Sequence, residues 1–225
     1  MAEYLATSYA TQRTKLICAA KFPKKIEVAS YTQVRTQLRA ALTKPEFDRD
    51  GLDFLAEKLD GKARTESGYN RDEALRCAKA LRAFQDTFNP KAFARYTIFA
   101  SAKALTKTVA GVRINVSLDA AVTSTKGGNT SAGGIVMLYA FSADRSDVPS
   151  RLAAASNLIF WALEGGQMPP LPRLCMAVDL AEKSIVNASE SFQRFRERVT
   201  DSCSEVAARW GSIAPPPDYD GPEWR

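Results

Sequence analysis

The sequence predicts an α+β protein, in which a helical N-terminal part precedes a small, mainly antiparallel sheet of three or four strands flanked by helices. Two patterns in the chain of 225 residues support this fold class. Apolar residues recur every three to four positions through much of the first 90 residues, which is typical of amphipathic helices. Over residues 112–119 apolar and polar side chains alternate strictly, which is typical of a strand with one buried face.

The first two predicted helices are defined by their boundary residues. Ser30 is followed three positions later by Gln33, which is the capping-box pattern, and Pro45 ends this helix. The second helix is predicted to stop at Gly61. The residues predicted to face the core are Val34, Leu38, Ala41 and Leu42 in the first helix, and Leu52, Leu55, Ala56 and Leu59 in the second.

A third helix is predicted from Asn70, which is paired with Glu73 at its start, to Pro90. A further short helix is predicted within residues 91–105. The inward residues of the third helix are Leu75, Ala78, Leu81, Phe84 and Phe88.

The middle of the chain predicts a small antiparallel sheet. In "VRINVSLD", residues 112–119, apolar and polar side chains alternate, and "AAVTST" either extends this strand or begins another. "KGGNTSAGG" supplies turn residues, and "IVMLYAF", residues 135–141, is apolar on both faces like a central strand.

The last third predicts a helix, a strand and a helix. Pro149 stands near the start of the first helix, and Gly165 and Gly166 end it. "QMPPLPR" is predicted to be a rigid connector and "LCMAVDLA" a strand. Asn187 with Glu190 is predicted to cap the final helix. The apolar stripe of that helix is the clearest in the chain: Phe192, Phe195, Val199, Cys203, Val206 and Trp210.

These elements predict one globular domain over residues 1–210, with a helical part at 1–90 and an α+β core at 91–210. The proline-rich tail, residues 211–225, is predicted to lie along the domain with Trp224 as an anchor, or else to bind a partner.

Composition excludes several chemistries. The chain has no histidine, which removes histidine-based triads and nearly all catalytic zinc sites. Its four cysteines are far apart and form no CxxC pair, so reduced structural thiols are expected. No apolar run is long enough for a membrane helix and the N-terminus does not resemble a secretory signal, so we expect a cytoplasmic protein that does not contact a membrane.

The positive charge is concentrated in one segment. The net charge is +6, and residues 87–143 carry six basic side chains against the single acid Asp119. Aromatic residues lie among them, a combination that can hold phosphates and stack bases, although a solvated positive face gives the same pattern. The candidate nucleic-acid-binding residues are Lys91, Arg95, Lys103, Lys107, Arg113 and Lys126.

The order of elements around Leu118-Asp119 resembles the core of the restriction-endonuclease-like superfamily, whose signature is PD-(D/E)xK. The resemblance covers about residues 90–210. It implies that Leu118-Asp119 occupies the position of Pro-Asp, and that residues 135–141 form the strand that should carry (D/E)xK. That strand has no acid and no lysine, so Asp119 alone is not expected to hold a catalytic magnesium ion.

Other acids could complete a site. Asp179, Glu182 and Lys183 form a small charged cluster after the later strand, and Asp144 follows the apolar one. The weak catalytic candidates are therefore Asp119, Asp179, Glu182 and Lys183. They compete with the simpler interpretation that charged residues are common where strands end.

Three functions remain open from the sequence. The first is a nucleic-acid-binding module on a nuclease-like core that is not an enzyme, with DNA or RNA as its partner and no metal or cofactor. The second is an assembly subunit that binds another protein and no nucleic acid. The third is a magnesium-dependent nuclease whose site has migrated to Asp119, Asp179 and Glu182.

Overall fold

The computed structural model describes residues 1–23, 31–44, 48–101, 104–139, 147–189 and 192–222. The helices in this part of the chain are α1 (Ala2–Ala6), α2 (Ala10–Lys21), α3 (Thr32–Leu42), α4 (Arg49–Thr65), α5 (Gly68–Thr87), α6 (Pro90–Phe93), α7 (Val148–Leu163) and α8 (Gln193–Trp210). The strands are β1 (Thr97–Phe99), β2 (Leu105–Val109), β3 (Val112–Val116), β4 (Ala120–Lys126), β5 (Asn129–Leu138), β6 (Pro170–Asp179) and β7 (Ser184–Asn187). The predicted α+β class is confirmed.

The main sheet has five strands in the order β1-β4-β5-β6-β7. The β5–β6 pair is parallel, and the other pairs are antiparallel, so the sheet is mainly antiparallel as predicted. It is larger than predicted because two short strands, β1 and β7, extend its edges. The parallel pair is connected through α7, because strands that run in the same direction need a crossover connection.

The strand predicted at residues 112–119 does not belong to this sheet. Val112–Val116 form β3, which among the described residues pairs with β2 alone, in a separate two-stranded ribbon. A two-residue turn, Ala110-Gly111, joins the two strands, and both of its residues have positive φ angles, 46° and 78°. Such turns match the twist of paired strands. The "AAVTST" segment is therefore a new strand, β4, rather than an extension of β3.

Helices cover both faces of the sheet. On one face, α3, α4 and α5 bury their apolar residues against alternate residues of β4, β5 and β6. On the other face, α1, α7, α8 and the β2–β3 ribbon form a second apolar cluster. The helices before residue 90 thus divide between the two faces. No helix in the described ranges is both long enough and apolar enough to span a membrane.

Several helix boundaries differ from the predictions. Helix α4 continues through Gly61 to Thr65, because helix interiors tolerate a glycine whose neighbours favour helix. Helix α5 begins at Gly68 rather than at Asn70, and Leu75, which we predicted to face the core, is 42% exposed. The short helix predicted within residues 91–105 is limited to the last three residues of α6, which ends at Phe93, and β1 and β2 begin later in this range.

The C-terminal third also needs corrections. Residues 170–173 of the predicted connector belong to β6, where Pro170 is tolerated at the start of the strand. Asn187 does not cap the last helix; it ends β7, and its side-chain amide donates to the carbonyl of Arg173. The apolar stripe of α8 is confirmed, with Val199, Cys203 and Val206 buried. Ser30, Pro45 and Glu190 lie outside the described residues, and so do the side chain of Gln33 and the contacts predicted for it.

The C-terminal tail runs back along α2. It therefore lies along the domain, which is one of the two arrangements that the sequence predicted. The Lys21 ammonium group donates to the carbonyls of Trp210 and Ile213 at 2.9 and 3.0 Å. The Tyr219 hydroxyl donates to the carbonyl of Pro23 at 2.6 Å, and its ring packs edge-on against Phe22. Trp224, the predicted anchor, lies outside the described residues.

Candidate functional site

Asp119 lies at a bend just before β4, and its side chain is fully buried. One carboxylate oxygen, Oδ1, accepts hydrogen bonds from the Nε atoms of Arg35 and Arg39, at 2.9 and 2.8 Å. The other oxygen, Oδ2, accepts from the backbone N–H of Met137 at 2.7 Å. The backbone N–H of Asp119 donates to the carbonyl of Ile135 at 2.8 Å. Both carboxylate oxygens are therefore used within the protein.

Local structure explains this arrangement. Val34 and Leu38 bury the inner face of α3, and the helical repeat places Arg35 and Arg39 one turn apart beside that face. The antiparallel pairing of β4 with β5 places Ala120 opposite Ile135, so the residue before β4 lies at the end of β5. The helix and the sheet end thus meet at the Asp119 carboxylate. We call Asp119, Arg35 and Arg39 the arginine cluster.

Aromatic rings line one side of the arginine cluster. The guanidinium group of Arg35 lies 5.6 Å from the centre of the Tyr139 ring, and Tyr31 packs against Tyr139 at the same centroid separation. Burial, reinforced by the Asp119 charge, raises the pKa of Tyr139. Burial alone would lower the pKa of Arg35, but the charge and hydrogen bond of Asp119 outweigh it and raise that pKa. The tyrosine is therefore neutral and the arginine charged at any physiological pH.

The strand that should carry (D/E)xK is apolar at this end. Met137 and Tyr139 are 3% and 8% exposed and belong to the core cluster shared with α3 and α5. The hydroxyl of Tyr139 has a weak contact of 3.9 Å with the Met137 sulfur. Phe141, the end of the predicted strand, lies outside the described residues.

Asp179 ends β6 and is also fully buried. Its Oδ1 atom accepts from the backbone N–H groups of Ala181 and Glu182 at 2.9 and 3.4 Å, which closes the turn into β7. Its neighbour on the same face, Ala177, packs with α7, whereas Asp119 binds α3. The two carboxylates therefore have different partners on opposite sides of the sheet.

The remaining weak catalytic candidates lie on the surface. Glu182 and Lys183 are exposed in the turn between β6 and β7, where Lys183 has a φ of 53°. The Lys183 ammonium group forms an ion pair with Asp86 at 2.7 Å. Among the described residues, no group of three or more acids and cysteines could hold a metal ion. Asp144 lies outside those residues.

The structure distributes the predicted nucleic-acid-binding residues over three places. Lys91 and Arg95 are exposed around α6, Lys107 and Arg113 lie on the β2–β3 ribbon, and Lys126 is exposed at the end of β4. Lys103 lies outside the described residues.

Two of these places lie toward the same end of the sheet. Thr97 of β1 pairs with Thr123 of the antiparallel β4, so the chain enters β1 at the end where β4 finishes with Lys126. Arg95 and Lys126 therefore lie at the same end of the sheet, opposite to Asp119.

The basic residues differ in how available their side chains are to a ligand. Within the described ranges, Lys91, Arg95, Arg113 and Lys126 are exposed and have no carboxylate partner. We call these four residues the exposed basic set. Lys107 is half-buried and lies over the ring of Trp161 at 5.6 Å, so it is less available to a ligand.

The four cysteines are free thiols, and all except Cys18 are buried. Burial raises the pKa of Cys77 and of Cys175 to about 12, so neither thiol forms a thiolate at neutral pH. The expected structural role of the cysteines agrees with this environment.

Sequence analysis missed Arg35 and Arg39. Their spacing of four residues was visible, but it is common on helix surfaces. Only the fold reveals their shared partner, which lies about 80 residues further along the chain.

Comparisons with known proteins do not assign the chain to a family. No protein-family model matches it, and no curated protein is similar enough to count as a relative. The resemblance to the restriction-endonuclease-like core therefore remains a prediction from the order of elements and the position of Asp119.

Proposed function

We propose that this protein is a non-catalytic nucleic-acid-binding module on a nuclease-like core. The observation that carries the proposal is the exposed basic set, Lys91, Arg95, Arg113 and Lys126, in which no side chain has a carboxylate partner among the described residues. Unpaired cations on a basic protein attract polyanions over long distances and bind phosphates at short range. We also propose the cytoplasm as its compartment, since all four cysteines are free.

The surroundings of the acids favour binding without hydrolysis. A magnesium ion needs several oxygen ligands that are free to coordinate it. Asp119 uses both oxygens for Arg35, Arg39 and the backbone of Met137, and Asp179 uses one oxygen to close its own turn. Two guanidinium groups beside Asp119 also repel a divalent cation.

The test is binding of labelled single- and double-stranded DNA and RNA over a series of salt concentrations. We expect an affinity that falls steeply as salt rises, because each neutralised phosphate releases a counterion. Replacing the exposed basic set by glutamine should weaken binding at low salt at least about tenfold and flatten the salt dependence.

A matched control variant distinguishes the effect of where the positive charges lie from the effect of the total charge on binding. Lys58, Lys62, Arg64 and Arg71 are exposed on α4 and α5, in a segment whose charges balance. Replacing these four residues by glutamine removes the same charge from another surface. Equal loss of binding in both variants would contradict a site made by the exposed basic set, and no binding of any polymer at low salt would contradict the proposed function.

A protein partner is the competing function. The most exposed large hydrophobic residues in the described part of the chain are Tyr9 just before α2, Phe54 in α4 and Tyr69 in α5. Single hydrophobic residues scattered over a surface are normal in soluble proteins. The charges therefore favour nucleic acid over a hydrophobic protein interface.

A further inference from the structure

The arginine cluster carries more positive charge than its structural role requires. One guanidinium group neutralises the buried carboxylate of Asp119, yet Arg35 and Arg39 both bind it. Asp119 is the only carboxylate that either arginine contacts among the described residues. The cluster therefore has a net charge of about +1 at a place where a helix meets the end of a sheet.

The second positive charge is accessible. The side chains of Arg35 and Arg39 are 40% and 41% exposed. Each guanidinium group has five N–H donors, and among the described residues only its Nε–H group has an acceptor, so in this part of the chain the terminal N–H groups remain for another acceptor. Since both Nε atoms bond to one oxygen, the two planar groups converge on the same point.

The cluster is also held in place before any ligand arrives. Asp119 is fixed by the backbone N–H of Met137, and Arg35 lies over the ring of Tyr139. A buried, hydrogen-bonded carboxylate that orients an arginine reduces the conformational entropy that binding would otherwise cost. Converging arginines with fixed planes suit a tetrahedral oxyanion, because each can offer two parallel N–H donors.

We propose that Arg35 and Arg39 form a binding site for a phosphate group, and that Asp119 is the positioning residue of this site. The phosphate comes either from a small molecule or from a nucleic-acid strand. The site lies at the end of the sheet opposite to Arg95 and Lys126, and it does not depend on the exposed basic set.

The first experiment titrates the full chain with inorganic phosphate and follows the Nε–H resonances of its arginines by NMR. We expect saturable shifts of the Arg35 and Arg39 signals. The double variant Arg35→Lys/Arg39→Lys keeps the charge that compensates Asp119 but loses the planar donors, so its phosphate affinity should fall about tenfold or more. Circular dichroism checks that it is folded.

The matched control is Arg82→Lys, because Arg82 is a half-exposed arginine in an ion pair with Asp60. Its phosphate affinity should stay within about twofold of the wild type. Absence of saturable phosphate binding in the wild type, or equal binding in the double variant, would overturn the proposal. Acetate as the titrant should bind more weakly than phosphate, and equal binding would overturn the assignment to phosphate.

Asp119→Asn tests the positioning role. The substitution leaves both arginines and raises the net positive charge, so charge alone would strengthen phosphate binding. We expect weaker binding instead, because the guanidinium groups lose their common acceptor. Stronger or unchanged binding by the folded variant would overturn the positioning role.

Oligonucleotides with and without a 5′-phosphate distinguish the two sources. Tighter binding of the phosphorylated strand that is lost in Arg35→Lys/Arg39→Lys supports a nucleic-acid source. Phosphate binding without any difference between the strands supports a small-molecule source. If the phosphate site at Arg35 and Arg39 is disproved, the proposed function can still be tested through the exposed basic set, because the two experiments change different residues.

Discussion

At the residue scale, the central feature is a buried acid, Asp119, whose two carboxylate oxygens both accept hydrogen bonds from the protein itself. Asp119 connects α3 to the ends of β4 and β5 through two arginines and one backbone N–H group. Removing one member of such a buried network costs most when the charge that remains is the buried one. Replacing the acid and replacing the arginines should therefore lower the free energy of unfolding by different amounts.

We expect Asp119→Asn to lower the free energy of unfolding by about 1–3 kcal/mol, because charged hydrogen bonds are lost but the arginines can be hydrated. The double variant Arg35→Met/Arg39→Met should cost about 3–5 kcal/mol, because it leaves the buried carboxylate without a cation. Urea denaturation followed by circular dichroism measures both. A larger cost for Asp119→Asn than for the double variant would contradict this explanation.

The thiols offer a second prediction at the residue scale. Cys18 is half-buried, whereas Cys77, Cys175 and Cys203 are buried, and burial raises the pKa of each of these three. Alkylation of the folded protein near pH 8 should therefore modify Cys18 first, as mass spectrometry would show. The other three should react only after denaturation. Rapid modification of Cys175 in the folded protein would contradict its place between the sheet and α7.

At the element scale, two glycines show how the same residue type has opposite roles. Gly61 lies inside α4, and a Cβ atom there would contact nothing. Gly133 lies at an irregularity in the pairing of β5 with β6, and a Cβ atom there would collide with the carbonyl and side chain of Leu174. The first is a poor helix former at an open position, and the second permits close approach of two strands.

We expect Gly61→Ala to raise the free energy of unfolding by about 0.5–1 kcal/mol, because alanine favours the helix more than glycine does. Gly133→Ala should lower it by about 3 kcal/mol, because the colliding atoms include backbone that cannot move aside. Chemical denaturation compares the two. Destabilisation by Gly61→Ala would indicate that α4 ends there, as the sequence alone predicted.

At the scale of the whole molecule, the C-terminal tail packs against the end of α2. Lys21 and Phe22, at the end of α2, bind Ile213 and Tyr219 of the tail. We expect deletion of residues 213–225 to lower the melting temperature by about 2–8 °C, since roughly 1–2 kcal/mol of contacts is lost from a chain of this size.

Deletion of residues 223–225 alone is the control for the tail, because it keeps the contacts of Tyr219 and Ile213. It should leave the melting temperature nearly unchanged. An equal decrease in both truncated proteins would instead support Trp224 as the anchor. Differential scanning calorimetry measures all three proteins.

The sequence predicted the fold class because it depends on local periodicity. The apolar stripes of α3 and α8 and the alternation in β3 each appear within a few turns or strand repeats. The partner of β3 could not be predicted, since strand pairing depends on contacts between distant residues. The arginine cluster was missed for the same reason: Asp119 was identified, but neither arginine that neutralises it lies nearby in the sequence.

The most direct test of the central claim is nucleic-acid binding by the full chain across a salt series, with and without Mg²⁺. The proposed function predicts binding that weakens steeply with salt, that is reduced by replacing the exposed basic set, and that causes no cleavage in Mg²⁺. Absence of binding to every DNA and RNA probe at low salt would contradict it. Mg²⁺-dependent cleavage that is lost in Asp119→Ala would also contradict it, because the arginine cluster would then have to release Asp119 to a metal.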